Sequence, residues 1–235
     1  MGERTEGKGG FISRANVRDI VIVLSCGVAL FSPISASRIT ISLITLAAGC
    51  FLHILVKGVL IRNTTLTRHG VYRLTRHPYY TANYLIDISF CLLAGNSYLL
   101  FAYPFLFFWA YGPTFRKEEA YLASVYDTYH RYSYETPQVL PDSQSIRYWK
   151  ELLNGFSLSR ITAKELSRVL RFWTVACFLL LLHDLRSEGL KELSPVHLHD
   201  YDGVVFFAAL VFLSIGQFLL GRRSIKGEPS PLAEG

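Results

Sequence analysis

The apolar residues of this chain come in blocks, and that blocking limits the folds open to it more than any other feature. Hydrophobic residues make up 51% of the 235 positions, and the mean hydropathy is +0.27. Their arrangement matters more than their number. They form near-continuous runs, about Val17 to Ser35, Ile39 to Ile61, Asn83 to Gly95, Tyr98 to Tyr111, Val169 to Leu185 and Val204 to Leu220, not the one-sided spacing of a soluble amphipathic helix. At ~1.5 Å per residue the second run is long enough for a hydrocarbon core of ~30 Å. The expected fold class is therefore all-α, a polytopic membrane helical bundle. It would have about six membrane segments, with the third and fourth forming a short helical hairpin around Gly95-Asn96.

Between the second and third runs lies a polar knot, Thr64-Thr65-Leu66-Thr67-Arg68-His69-Gly70-Val71-Tyr72-Arg73-Leu74-Thr75-Arg76-His77-Pro78-Tyr79-Tyr80. Pro78 biases His77 out of the helical region, and Gly70 permits a tight turn before Tyr72. His77 is thus expected at a break just ahead of the next helix, whose first N–H groups favour an anion. A basic loop with interfacial aromatics is the plainer reading of the same residues, but it does not require the order Gly-x-Tyr-x-x-x-Arg-His-Pro-x-Tyr.

The net charge of +6 is placed where membrane proteins keep it. With six crossings, both termini and the motif segments share a side that holds nearly all Lys and Arg. Only Arg38, Arg186 and Lys191 lie opposite, so the motif loops and both termini are expected in the cytoplasm. No recognition motif accompanies the charge, which argues against nucleic acid as a partner.

The four cysteines, Cys26, Cys50, Cys91 and Cys177, all lie within apolar runs without Cys-x-x-Cys spacing, and read as small hydrophobes. His183, Asp184, His197, His199, Asp200 and Asp202 have metal-like composition but no four-ligand pattern, and read as a solvated loop. His53 and Lys57 fall four apart, on one face of the second run. Titratable groups at that depth face a cavity or headgroups, and Lys57 is expected to snorkel to the interface. Asp87, inside the third run, is expected to be paired or to face a pocket and not lipid. Gly112-Pro113 is expected to end the hairpin. An amphipathic surface helix would then run from Thr114 to Tyr132, with Tyr121, Tyr126, Tyr129, Tyr132 and Tyr134 packing or anchoring it.

The knot resembles the Arg-His-Pro-x-Tyr motif of the isoprenylcysteine carboxyl methyltransferase family, which is itself similar to phospholipid methyltransferases. That family carries a Glu-Glu pair after a helical hairpin, present here as Glu118-Glu119, and an Asn in the hairpin turn, present as Asn96. The likeness is ungapped from about Thr64 to Leu122 and looser to Pro141. It implies an integral membrane methyltransferase using S-adenosyl-L-methionine. No Gly-x-Gly-x-x-Gly turn of a soluble dinucleotide fold is present, so a membrane-embedded pocket is expected instead. The resemblance implies that Thr64, Thr65, Leu66, Thr67, Tyr72, His77 and Glu118 line the cofactor pocket, with Lys57 beside it and no metal. The alternative for Glu118-Glu119 is a pair of acids at an exposed helix start.

The family's isoprenylcysteine enzymes have an acceptor-binding arginine where this chain has Thr114. Arg116, two residues on, is the candidate to replace it, and His77 and Arg116 are the expected catalytic residues. Glu135 stands for a later family arginine, and Ala82 for the Gly that closes the motif. The expected acceptor is lipophilic or amphiphilic, either a carboxylate of an isoprenylcysteine-like compound or a lipid headgroup. Competing classes are a membrane NADPH-dependent reductase of the sterol reductase type and a non-catalytic membrane scaffold. The expected organisation is a cytoplasmic tail (1–16), a methyltransferase-like core (17–141), a basic amphipathic interfacial region (142–168), an accessory transmembrane pair (169–222) and a second cytoplasmic tail (223–235).

Overall fold

In a computed structural model, residues 16–60, 65–188 and 208–220 are described. All regular elements among them are helical: α1 Val17–Ala29, α2 Ala36–Val59, α3 Pro78–Leu93, α4 Ser97–Val125, α5 Tyr129–Glu135, α6 Ala163–Glu188 and α7 Ala208–Leu220. Short 3-10 turns at Gly70–Arg73, Ser145–Glu151 and Leu158–Arg160 link them. The tails and the His197–Asp202 run lie outside the described residues, as does Thr64.

Local chemistry sets the helix starts. The Ser35 hydroxyl accepts from the Arg38 N–H to open α2. His77, with φ −120°, caps α3, and Pro78 occupies its first turn, where its missing N–H costs nothing. Gly95, at φ +79°, makes the turn between α3 and α4, and the Asn96 side chain accepts from the Tyr98 and Leu99 N–H groups at 2.8 and 3.3 Å, a capping pattern.

Helices α2, α3, α4 and α6 alternate in direction and share two ends. At one end Arg38 Nε donates to Leu92 O and His183 Nε2 to Leu93 O, at 3.0 and 2.7 Å. The His183 bond satisfies a carbonyl at the end of α3 that the helix leaves open, while Leu92 O also accepts the Gly95 N–H at 3.1 Å. The other end holds the polar knot, the close of α4 and the start of α6. Midway, Asp87 is fully buried and takes Arg18 Nε at 2.7 Å and Tyr103 OH at 2.8 Å, while Arg18 Nη2 donates to Asn83 at 2.9 Å. Asp87 is thus paired within the bundle.

Helices α2 and α3 meet across Gly49. A Cβ built there would lie 2.8 Å from Ile86 Cγ1 and 3.0 Å from the Ile86 backbone nitrogen, so only a residue without a side chain allows this approach. Gly49→Leu is expected to lower stability by about 1–3 kcal/mol through overpacking, read by denaturant unfolding in detergent. A change within experimental error would mean that the two helices separate freely there.

Two described helices, Ala36–Val59 and Ala163–Ser187, are long and apolar enough to cross a bilayer. The six crossings expected from the sequence are not all full-length: α1 has 13 residues and α3 has 16, or about 20 and 24 Å. On α4, Phe101, Phe105 and Trp109 are 71%, 80% and 65% exposed. They recur at four-residue spacing on one face, and Ile41, Ile44 and Phe51 are exposed on α2. Faces this apolar suit lipid better than water.

Other boundaries also differ from the sequence reading. Helix α3 begins at Pro78, ahead of the expected Asn83. Pro113 does not end α4, which continues through Pro104 and Pro113 to Val125. Proline removes one donor per site, a loss that membrane helices tolerate when neighbours resatisfy the freed carbonyl. Residues 142–162, most of the expected basic amphipathic region, form short 3-10 turns and loop, and α6 starts at Ala163. His183 and Asp184 therefore belong to α6, not to a loop. Cys26, Cys50, Cys91 and Cys177 are all free thiols.

Candidate active site

The knot folds as a turn, an extended step and a helix start. Gly70 adopts φ +60°, and a Cβ there would lie 2.5 Å from Asn154 O. The extended step is fastened to residues 136–139: Arg76 N–H donates to Pro137 O at 2.8 Å and His77 N–H to Gln138 O at 3.0 Å. The Thr81 hydroxyl donates to Val139 O, and Tyr132 OH to Tyr72 O. His77 is thus held at its backbone and at the first turn of the helix it caps.

The two adjacent acids of α4 meet this cap differently. Glu119 Oε1 lies 3.2 Å from His77 Nε2, 3.3 Å from Arg76 Nη1 and 3.0 Å from Gln138 Nε2, which fixes it as an anchor. Glu118 is more open. Its Oε1 accepts from Tyr80 OH at 2.7 Å, and its Oε2 lies 3.6 Å from His77 Nδ1. Both acids sit well inside α4, so they are not exposed acids at a helix start. Phe115 and Tyr80 pack on the imidazole, with ring centroids 5.3 and 5.8 Å away. Burial lowers the His77 pKa below its ordinary 6.5, against the pull of the two carboxylates. The ring is therefore neutral near pH 7. If Nε2–H donates to Glu119, Nδ1 is the nitrogen free to accept.

Two adjoining cavities open from this cluster. The smaller, of about 320 Å³, includes Lys57, Tyr72, Arg76, His77, Tyr79 and Glu118 in its wall. The larger, of about 600 Å³, includes Thr65, Leu66, Thr67, Tyr72, Glu118 and Tyr129. Tyr72, Arg76 and Glu118 belong to both. Every described residue expected at the cofactor pocket therefore reaches one hollow or the other, and Thr64 lies outside the described residues. Thr67 lines the larger cavity, and its Oγ1 is buried without a hydrogen-bond partner among the described residues.

Arg116 does not join them. It is exposed on α4 and lines neither cavity, because two residues ahead of Glu118 is about 200° around a helix. Lys57, expected to snorkel, instead lines the smaller cavity, with Nζ 3.4 Å from Glu165 Oε1 and 4.7 Å from the Tyr79 ring centroid.

Residues 28–124 match the model of the isoprenylcysteine carboxyl methyltransferase (ICMT) family. This part of the chain is similar to the ICMT family. The match spans well under half of the 235 residues, and it contains both the Arg-His-Pro turn and the Glu118-Glu119 pair. No curated protein and no solved structure matches the chain. The ICMT-family match, with apolar helices and apolar exposed faces, supports a membrane methyltransferase. The ICMT region does not close the site alone, since Tyr129, Tyr132 and Gln138 come from beyond it. Tyr80, Arg76 and Tyr129 also line these hollows, beyond the residues expected from the sequence. Tyr80 stands inside the quoted motif, and Tyr129 belongs to a tyrosine stripe that reads as packing.

Proposed function

We propose that the protein transfers a methyl group from S-adenosyl-L-methionine to a lipophilic or amphiphilic acceptor, either the carboxylate of an isoprenylcysteine-like compound or a lipid headgroup. The observation that carries this reading is the shared hollow of His77 and Glu118, continuous with a cavity walled by Thr65, Thr67 and Tyr72. A volume of about 600 Å³ lies in the usual range for small-molecule sites.

S-adenosylmethionine supplies an activated methyl on a sulfonium when bound. The residues of the chain then bind and orient. Glu118, held by Tyr80, presents a carboxylate to a cationic group. Thr67, Thr65 and Tyr72 offer hydroxyls to sugar or base, and Leu60, Leu66 and Leu122 exclude water. With a carboxylate acceptor no residue needs to take a proton, and alignment supplies much of the rate. With an amine or thiol acceptor, His77 Nδ1 is placed to take one.

This reading includes a multi-pass topology with the site facing the cytoplasm. Arg68, Arg73, Arg76, Arg147, Lys150, Arg160, Lys164 and Arg168 surround the site end, and Arg38 and Arg186 lie at the other, as the positive-inside rule asks.

Equilibrium binding to detergent-purified protein tests the assignment. Saturable binding of S-adenosylmethionine, and none of reduced nicotinamide adenine dinucleotide phosphate, is the expected result. The reverse would make the protein a reductase, and binding of neither would leave a scaffold.

A further inference from the structure

Beneath the smaller cavity, α2 and α6 share a buried charged cluster that the methyl-transfer reading does not use. Glu165 of α6 has a side chain only 9% exposed. Its Oε2 lies 3.0 Å from His53 Nε2 and 3.0 Å from Arg168 Nη1, and its Oε1 lies 3.4 Å from Lys57 Nζ. Arg168 also reaches Oε1, at 3.3 Å. One carboxylate therefore meets an ammonium, a guanidinium and an imidazole. Arg168, three residues on along the same helix, already neutralises it, so neutralising Glu165 does not account for an ammonium in an apolar membrane helix. Such a group is retained in a membrane helix where it meets a cavity or a ligand.

Lys57 meets a cavity. Lys57 lines the 320 Å³ hollow together with Tyr79, His77 and Glu118, and its ammonium lies 4.7 Å from the Tyr79 ring centroid. The hollow is thus lined by an acidic residue, Glu118, and a basic one, Lys57. We propose that Lys57, positioned by Glu165 from outside the family-matched region, is a binding site for a carboxylate or phosphate anion inside this cavity. On the methyl-transfer reading, on which the identity of that anion rests, it is either the carboxylate of the cofactor or an anionic group of the acceptor. Glu165 and His53 are positioning residues, since neither lines the hollow.

The test uses full-length protein in dodecyl maltoside. Its binding arm compares S-adenosylmethionine with decarboxylated S-adenosylmethionine on wild type, Lys57→Gln, Lys57→Arg and Glu165→Gln. Its footprinting arm measures acylation of Lys57 by mass spectrometry on wild type, with added dodecanoate or dodecyltrimethylammonium. If the anion is the cofactor's, wild type prefers the carboxylated form at least tenfold, Lys57→Gln abolishes the preference, Lys57→Arg retains it and Glu165→Gln weakens it. If it is the acceptor's, that preference is the same in Lys57→Gln as in wild type. Dodecanoate then slows acylation at least fivefold, and dodecyltrimethylammonium does not.

An unchanged preference in Lys57→Gln together with no selective protection by dodecanoate overturns the proposal. Failure of wild type to bind S-adenosylmethionine would instead sink the methyl-transfer reading, while the footprint still decides the anion site. Because the footprint uses wild type, a variant that fails to fold does not blunt the test.

Discussion

Replacing Asp87 with alanine is expected to lower the unfolding free energy by about 3–5 kcal/mol, because it leaves the Arg18 guanidinium unmatched inside the bundle. Asp87 is fully buried, Arg18 is 19% exposed, and the same carboxylate anchors Tyr103. Arg18→Ala should cost a similar amount. Arg18→Met combined with Asp87→Leu should cost much less than the sum, since the pair is removed with its charge. Denaturant unfolding followed by circular dichroism in detergent checks this. A loss below about 1 kcal/mol for Asp87→Ala would mean that water or lipid headgroups reach Arg18. Since Asp87 lines neither cavity, cofactor affinity at saturating stability should be close to wild type.

His77→Ala and Glu118→Ala should each weaken S-adenosylmethionine binding at least tenfold, or ~1.4 kcal/mol, if each makes a charge-assisted or buried polar contact. Titration calorimetry reads the affinity, and wild-type values in both variants would refute the assignment. The pH dependence adds a second signature. Burial holds His77 neutral, with a pKa below 6.5, so the imidazole is uncharged at neutral pH and gains a proton only as the solution is acidified past that lowered value. A protonated ring beside a cationic ligand is unfavourable, so wild-type affinity should fall in that acid range. His77→Ala should show a flatter profile. The same shift makes the folded state poorer at binding this proton than the unfolded chain. The contribution of His77 to stability is thus whole above pH 6.5 and declines as pH drops below it.

The elements of the candidate site were more legible in the sequence than their surroundings. A histidine before a proline can only cap a helix or sit in an extended step, so the place of His77 was readable, and the Arg-His-Pro and Glu-Glu pairs carried the family. Which glutamate faces the hollow was not readable. Glu118 and Glu119 differ by 100° of helix rotation, and only the position of Gln138 and Arg76 decides that Glu119 is the anchored one. The same phase question arises for Arg116, which lies on another face of α4 from Glu118. Pro113 misled because proline signals a break in water, while packed membrane helices accommodate it. Residues 142–162 looked like an amphipathic helix by composition, yet their glycine and serine content and their contacts with Gly58 and Gly70 hold them in 3-10 turns. Glu165 was invisible as a partner of Lys57, since nothing local connects residues more than a hundred positions apart.

The segment that follows the matched region has a consequence for dissecting the molecule. Arg160 Nη1 donates to the Gly58 and Val59 carbonyls at 2.9 and 3.3 Å, and Ser157 N–H to Gly58 O at 3.0 Å, while the Phe156 ring fills the space that a Gly58 side chain would occupy. Together with Gln138, Val139 and Glu165, these groups close off α2 and the Arg-His-Pro turn from behind. A polypeptide ending near residue 124 would keep the family signature but leave these donors, acceptors and charges exposed, at about 1–3 kcal/mol for each buried group left unmatched. The borders of recognisable ancestry and the borders of what can fold by itself therefore fall in different places along this chain.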